Sequence, residues 1–377
     1  MIQKTLVGFS LAIASILASC AGSGKGADCD AVSGGDTLTT EASLLTIVGH
    51  DGWTSATVSD PWSQGKILAT YYMVPRDKDI PQDMPKDGAV VIRTPIRSAV
   101  VYSSVYTQGI EDLGYASTIT GVADAEYFTH GYVREQLDKG KMANIGSSSS
   151  PSMERIIDLS PDVLILSPYE ANRNDHVLDK TGVAVIRMVD YMETTPLCRA
   201  EWLKLLGALY GDIDKATRLY DSTVKKYKDI AGRISVSSSR PMVLTDTEVS
   251  GTWYMPGGES YAARMVADAG GLVPWHETTS TGSLPCDYEA VYERAVDAPV
   301  WIMRTFGTTT LSELRKSNPL NAGFKAFKDG NVYYTDTSTG TFFDDIAFHP
   351  DRILSDYASM LHPEIWKQPL RYFTKAK

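Results

Sequence analysis

Six histidines, a glycine turn crowded by aromatics and a few strand-end aromatics and arginines are the residues of this chain whose types could hold or transform a ligand. The histidines (His50, His130, His176, His276, His349 and His362) are scattered, with no H-x-x-x-H or similar pairing. A bare zinc or manganese ion needs three or four convergent ligands, and His50, His130 and His276 are the set that could converge. A single axial ligand to a haem iron asks for less; His130 or Tyr127 suits it by type, whereas His349 and His362, on the last helix, read as structural. The stretch SGTWYMPGGESYAARMVADAGG (250–271) sets Gly257 and Gly258 between a strand-like and a helix-like run, a place where backbone N–H groups often meet phosphate. Trp253 and Tyr254 crowd that turn, however, and neither phosphate-loop spacing is present. Nor does catalysis find a footing. There is no G-x-S-x-G elbow and no H-E-x-x-H, and Asp344-Asp345 precede a helix and read as caps. The chain is expected not to be an enzyme and to need no cofactor of its own.

The elements that must position these residues alternate. LLTIV (44–48) and KILATYYMV (66–74) read as strands, with a loop between them. AVVYSSV (99–105) is a buried strand, and a helix begins at 108 and ends at Gly114. PSMERIIDL (151–159) reads as a helix with Ser150 as N-cap and Pro151 at its first position. PDVLILS (161–167) and VAVIRM (183–188) are continuous apolar strands of the parallel, doubly covered kind. Residues 196–210 form a helix stopped by Gly211. Asp212 then caps a second helix to about Ile234, with Ile213, Ala216, Tyr220, Val224, Tyr227, Ile230 and Ile234 on one face. About 22 residues at 1.5 Å each give a rod of roughly 33 Å. Beyond it the α/β alternation resumes: strands at 242–248, 299–305 and 331–336, and helices over 260–271, 288–295 and 349–363. Helix-into-strand PSMERIIDL–PDVLILS is echoed by YEAVYERAV–PVWIMRT, each with one glutamate in its first turn, Glu154 and Glu289. The fold class is therefore α/β: two three-layer αβα lobes with parallel sheets, joined by one long helix.

The chain opens MIQKTLVGFSLAIASILASC, a basic start, a short apolar run and small residues before a cysteine, which reads as a signal peptide over 1–19. Its last four residues resemble a bacterial lipobox, making Cys20 the acylated residue. Residues 20–43 follow as a flexible tether rich in Gly, Ser and Asp; the GSGKG within it has no strand before it. The body is thus expected outside the cytoplasm, lipid-anchored, with no span of its own. A net charge of −10 argues against nucleic acid as a partner. Cys29, Cys198 and Cys286 are too few and too spread for a disulfide scaffold, and a Cys198–Cys286 bridge is left open.

The stretches SAVVYSSV, ERIIDLSPDVLILSP, PLCRAEWLKLLGALYG, GTWYMPGGESYAARMVADAGG, LPCDYEAVYERAVDAPVWI, AFKDGNVYY and FHPDRILSDYASMLHPE, in that order, resemble the substrate-binding lipoproteins of ABC importers for iron complexes and cobalamin. The resemblance covers about 44–365. It implies lobes at 44–211 and 236–377, a connecting helix at 212–235, and a ligand cleft between the lobes that moves little on binding. It places the turn 251–258 at the cleft mouth, so Trp253, Tyr254 and the backbone of Gly257-Gly258 are expected to face a large chelate, for which aromatic walls are suited. By the same logic Ser104, Tyr106 and Gln108, then Tyr127, Phe128 and His130, then Tyr169 and Arg173, and finally Arg304, Phe342 and Phe343 are strand-end candidates. Arg304 is expected either to pair with a cargo carboxylate, catecholate or propionate or to form a salt bridge within its lobe. Glu154 and Glu289 are expected to dock arginines of the permease, although the helix dipole alone also favours a glutamate there. The cargo so implied is a ferric siderophore or haem, with a corrinoid as the alternative and a bare zinc or manganese ion as a second one. The partners are the permease and the chelate, and the protein is expected to be a monomer.

Overall fold

The computed structural model describes residues 35–82, 84–85, 87–129, 131–169 and 177–377. The expected signal peptide, Cys20, Cys29 and the tether as far as residue 34 lie outside the described residues, as do His130, Arg173 and His176. Residues 34–377 form one compact unit.

The first sheet is built from β1 (Asp36–Thr37), β2 (Leu45–His50), β3 (Trp53–Ser59), β4 (Ile67–Pro75) and β5 (Val90–Thr94) in that spatial order. It is antiparallel except for the parallel β4–β5 pair. The expected loop between the first two strands is instead a third strand. Gly52, at φ 85°, makes a tight turn that pairs His50 with Trp53 and sends WTSATVS back along β2.

The second sheet carries the α/β alternation. In chain order come β6 (Ala99–Val101), α1 (Thr107–Asp112), β7 (Ile119–Val122), α2 (Gly131–Asp138), β8 (Ala143–Asn144), the small ribbon β9 (Gly146–Ser147) and β10 (Ser150–Pro151), α3 (Met153–Leu159), β11 (Val163–Leu166) and β12 (Ala184–Arg187). Its strands are parallel, in the order β12-β11-β6-β7-β8. Successive residues alternate between two hydrophobic clusters: Ala99, Val101, Val163 and Ile165 face one, and Val100, Leu164 and Leu166 the other. Both faces are covered, as the unbroken apolar runs required. Helix α3 is capped by Ser152, whose hydroxyl accepts from Arg155 N, and not by Ser150. Pro151 has no N–H to give a helix or a ladder and sits in the ribbon, opposite Gly146.

Three helices follow: α4 (Pro196–Ala200), α5 (Leu203–Leu209) and α6 (Ile213–Ile234). The single helix expected over 196–210 is broken at Glu201–Trp202. The buried Glu201 carboxylate there accepts from the N–H groups of Thr40, Glu41 and Ala42 and from Lys204 Nζ. Helix α6 keeps its expected length. Its N-cap position is Asp212, but that carboxylate takes the Tyr115 hydroxyl at 3.3 Å and leaves the helix end uncapped by a side chain.

The third sheet comprises β13 (Val243–Thr245), the antiparallel pair β14 (Trp253–Pro256) and β15 (Ser283–Cys286) beside it, α7 (Tyr261–Asp268), α8 (Tyr288–Ala295), β16 (Val300–Thr305), α9 (Leu311–Ser317), α10 (Lys325–Lys328), β17 (Val332–Asp336), α11 (Phe342–Asp345), α12 (Pro350–Leu361) and β18 (Thr374–Lys375). Its order is β13-β16-β17-β18, with the first three strands parallel. Val300 and Ile302 face one core, Trp301 and Met303 the other. The two-lobed α/β architecture stands.

Helix α6 belongs to both lobes. Ala216, with Ile213 and Leu219 beside it, joins the core of the first lobe, and Tyr227, Ile230 and Ile234 join that of the second. A second link runs the other way. Ala347 and Phe348, late in the chain, are buried in the first core. Phe348 lies so close to α1 that a Cβ on Gly109 would meet its Cδ2 at 2.5 Å. Replacing Phe348 by Ala therefore empties a site that spans both lobes, and a stability loss of about 3–5 kcal/mol is expected in urea unfolding. A loss under about 1 kcal/mol would show that Phe348 does not hold the lobes together.

Candidate functional site at the strand ends

In an open parallel sheet a ligand crevice forms beyond the strand C-termini, where the strand order reverses. In the second sheet the chain runs β6, β7, β8 outward and then returns to place β11 and β12 on the other side of β6. The reversal lies between β6 and β11. A cavity of about 530 Å³ opens there, lined by Tyr102 and Ser103 after β6, Ser167, Pro168 and Tyr169 after β11, and the 148–151 turn. The third sheet repeats the arrangement. Leu272 bridges Met242 on one side of β13 and β16 pairs on the other, so the reversal lies between β13 and β16. The cavity at that point is only about 50 Å³, bounded by Asp246, Arg304, Tyr261, Tyr357 and Phe342.

The candidate residues divide by burial. Tyr127, Tyr169 and Tyr254 are 60%, 50% and 54% exposed and remain available to a ligand. Tyr106, Trp253 and Phe342 do not. Tyr106 turns into the first core and donates its hydroxyl to Asp190 at 2.9 Å. Trp253 packs among Tyr288, Trp301 and Phe324, with its indole N–H bonded to Thr245 O at 2.8 Å. Phe342 is enclosed by Tyr372 and Phe373. The glycine turn also has an internal cause. Gly257 N bonds Gly282 O and Gly258 N bonds Thr278 Oγ1, and a Cβ on either residue would lie within 2.4 Å of a neighbouring carbonyl oxygen. These glycines allow close backbone approach within the lobe. Phe128 is buried, and Gln108 is held by Asp112.

Arg304 takes the second of its expected roles. Its Nε and backbone N both donate to Asp246 Oδ1, at 2.9 and 3.1 Å, and a further Nη2–Oδ2 contact completes the ion pair. The Asp246 charge raises the guanidinium further above its ordinary value. Phe306, directly after β16 and 80% exposed, and Phe343, 36% exposed, are better placed than Phe342 to meet a ligand. Phe306 was missed, although a phenylalanine one residue past a buried strand is itself a signal.

Glu154 and Glu289 are exposed, each in the first turn of the helix that leads into the strand beside the reversal point, α3 into β11 and α8 into β16. Their helices are capped alike, by Ser152 and by Asp287, and neither glutamate has an ion-pair partner among the described residues. Asp344 and Asp345 are not caps. Both are buried, Asp344 meeting Thr129 at 3.1 Å and Asp345 accepting from Arg352 Nη1 and Tyr372 Oη, each at 2.7 Å. Among the described residues no group of three or more His, Cys, Asp or Glu could hold a metal ion. His50 stacks on Trp53 in the first sheet, whereas His276 bonds Val273 O in the second lobe. Cys198 and Cys286 are both free thiols.

Two lobes of parallel α/β structure sharing one helix, with crevices at matched strand reversals, define a solute-binding fold. Residues 100–339 match the periplasmic binding protein family, and the chain belongs to it. An uncharacterized lipoprotein of Methanocaldococcus jannaschii is 30% identical over 304 residues, 77% of this chain and 76% of the relative. Among solved structures, a periplasmic heme-binding protein of Pseudomonas aeruginosa aligns with TM-score 0.59 and 18% identity, covering 75% of this chain and 98% of that one. A protein of an ABC-type Fe3+-hydroxamate transport system from Saccharomonospora viridis aligns with TM-score 0.57 and 16% identity over 72% and 95%. No helix among the described residues is long and apolar enough to cross a membrane.

A polar seam closes the lobes against each other. Arg199 pairs with buried Asp190 at 2.9 Å and lays its guanidinium over the Tyr261 ring of the second lobe. His349 meets Asp112 across the same seam. Burial pushes the Asp112 carboxyl up, and the hydrogen bond and charge of His349 more than offset it, so it is held below the ordinary carboxylate range. A depressed folded-state value contributes stability above the unfolded value of about 3.9 and loses it as pH falls through the folded one. Compared with Asp112→Asn, the wild type is therefore expected to be more stable at neutral pH, with the gap shrinking below about pH 4. Chemical denaturation at several pH values reads this, and a gap that does not change with pH would remove His349 from the seam's charge balance.

Proposed function

We propose that this protein is an extracytoplasmic receptor that captures an iron chelate, a ferric siderophore or haem, and delivers it to an ABC permease. The lipid on Cys20 tethers it, the lobes run 44–211 and 236–377 about the connector 212–235, and one copy acts alone. The observation that carries the reading is the exposure of Tyr127, Tyr169 and Tyr254, with Phe306 and Phe343, on a body whose remaining described aromatics are buried or half-buried. An aromatic side chain gives a broad apolar face with only two torsions to freeze, which suits a large chelate. Membership of the periplasmic binding protein family supports a binding role, and the heme-binding and Fe3+-hydroxamate relatives of the same fold support the cargo class. The lipoprotein relative supports the anchor. A corrinoid is the second reading. In its favour stands Arg304, whose charge is already matched by Asp246 and which therefore makes no demand for an anionic cargo.

Docking falls to Glu154 and Glu289, which present charge without an ion-pair partner among the described residues, from equivalent helix starts of the two lobes. Reversing both to Arg is expected to cut cellular uptake by about tenfold or more while chelate affinity measured on the purified protein stays within about twofold. Intact uptake would remove the docking role. Replacing Tyr127 and Tyr169 together by Ala is expected to weaken chelate binding by about tenfold or more in tryptophan-quenching titrations. Wild-type affinity in that pair would take the aromatic wall away.

A further inference from the structure

The cavity between β6 and β11 contains a feature that the overall reading does not use. Tyr102, 9% exposed, lines it, and its hydroxyl is buried with no hydrogen-bond partner among the described residues. A buried hydroxyl left unpaired is costly, so a fold retains one where something supplies the missing bond. The lining around it consists of serine hydroxyls, Tyr169, two prolines and the apolar side chains of Met153, Leu166, Val177 and Leu178. No carboxylate and no cation stands among these described residues. Burial pushes the Tyr102 phenol above its ordinary value, which keeps its proton on and makes it a donor.

Resting on the receptor reading above, we infer that this cavity is a subsite for an uncharged oxygen acceptor of the cargo, an amide or hydroxamate type of carbonyl, received by the Tyr102 hydroxyl. A cargo carboxylate or catecholate would be desolvated there with no matching charge among the described lining residues, which is costly. The second lobe has the counterpart in reduced form. Thr245, at the end of β13, also has a buried hydroxyl without a partner, but its cavity of about 50 Å³ admits no more than water-sized groups. The cargo is therefore seated mainly on the first lobe, and neutral chelates are favoured over polyanionic ones.

The test uses the full chain in detergent, titrated with ferrichrome (a neutral ferric trihydroxamate) and ferric enterobactin (a trianionic tricatecholate). Wild type is expected to bind ferrichrome at least about tenfold more tightly than ferric enterobactin. Tyr102→Phe is expected to weaken ferrichrome binding about threefold to tenfold, the net value of one hydrogen bond. Its thermal midpoint should be unchanged or higher, since an unpaired polar atom has been removed. Equal ferrichrome affinity in Tyr102→Phe would assign the hydroxyl to water and overturn the subsite, as would a preference for ferric enterobactin. If wild type binds neither these nor haemin nor cyanocobalamin, the receptor reading itself fails and the subsite falls with it.

Discussion

One helix shared between two hydrophobic cores is the constraint on which the molecule depends. Over α6 the apolar face is continuous, but its customers change: Ala216 serves the first lobe, and Tyr227, Ile230 and Ile234 the second. An α-helix of 22 residues rises about 33 Å, and a hydrogen-bonded rod without an internal proline does not bend cheaply. The separation of the two sheets at the helix side is fixed by that length. The exchange in the opposite direction, Phe348 of the late chain sunk against Gly109 of the first lobe, fixes their facing. The chain therefore crosses between lobes twice by burying side chains, and Arg199, Asp190, Tyr261, Asp112 and His349 form the polar layer between those crossings.

The lobes repeat a topology without repeating a sequence. In each parallel sheet the chain first leaves its opening strand to one side, β6 towards β7 and β13 towards the Leu272 bridge, and later returns to that strand's free side through a capped helix carrying one first-turn glutamate. The return creates the crevice, because the loops on either side of it leave in opposite directions. What differs is how the crevice is filled. In the second lobe Arg304 and Asp246 span it and close on each other. In the first lobe nothing charged spans it among the described lining residues, and a ligand-sized cavity remains.

Most of this skeleton was legible because long apolar periodicities have few interpretations. The continuous runs at 163–166 and 300–303 had to be strands covered on both faces, and the face of α6 was marked by its three- and four-residue steps, with Thr223 rather than Val224 on the buried side. The site was less legible. Gly257 and Gly258 have one sequence signature for two causes, room for a ligand or room for another backbone, and here the strand over 283–286 and the turn before it take the space. Trp253 could have been placed by alternation. In W-Y-M-P the period of two sends Trp253 and Met255 inward and Tyr254 outward, once the stretch is read as a strand. Phe342 and Phe343, side by side on a short helix, also differ in burial, but there no alternation of two marks which one is inside. Tyr102 escaped notice because a tyrosine at the end of a buried strand looks like core, and only the lack of a partner for its hydroxyl distinguishes it.

A frame held in this way shapes how recognition must work. Ligand binding that relies on wide lobe closure needs a hinge that opens cheaply, and opening here would withdraw Phe348 from its core, lift the Arg199 guanidinium off Tyr261 and part His349 from Asp112. The Phe348 step alone costs several kcal/mol. Selectivity must then reside in side chains already in place at the strand ends, and affinity is not reduced by a large ordering cost. The same rigidity puts release outside the receptor's own motion. On the docking proposed above, the energy to part the lobes would come from the permease, and two exposed glutamates at matched helix starts, one per lobe, would then have a mechanical reason to exist.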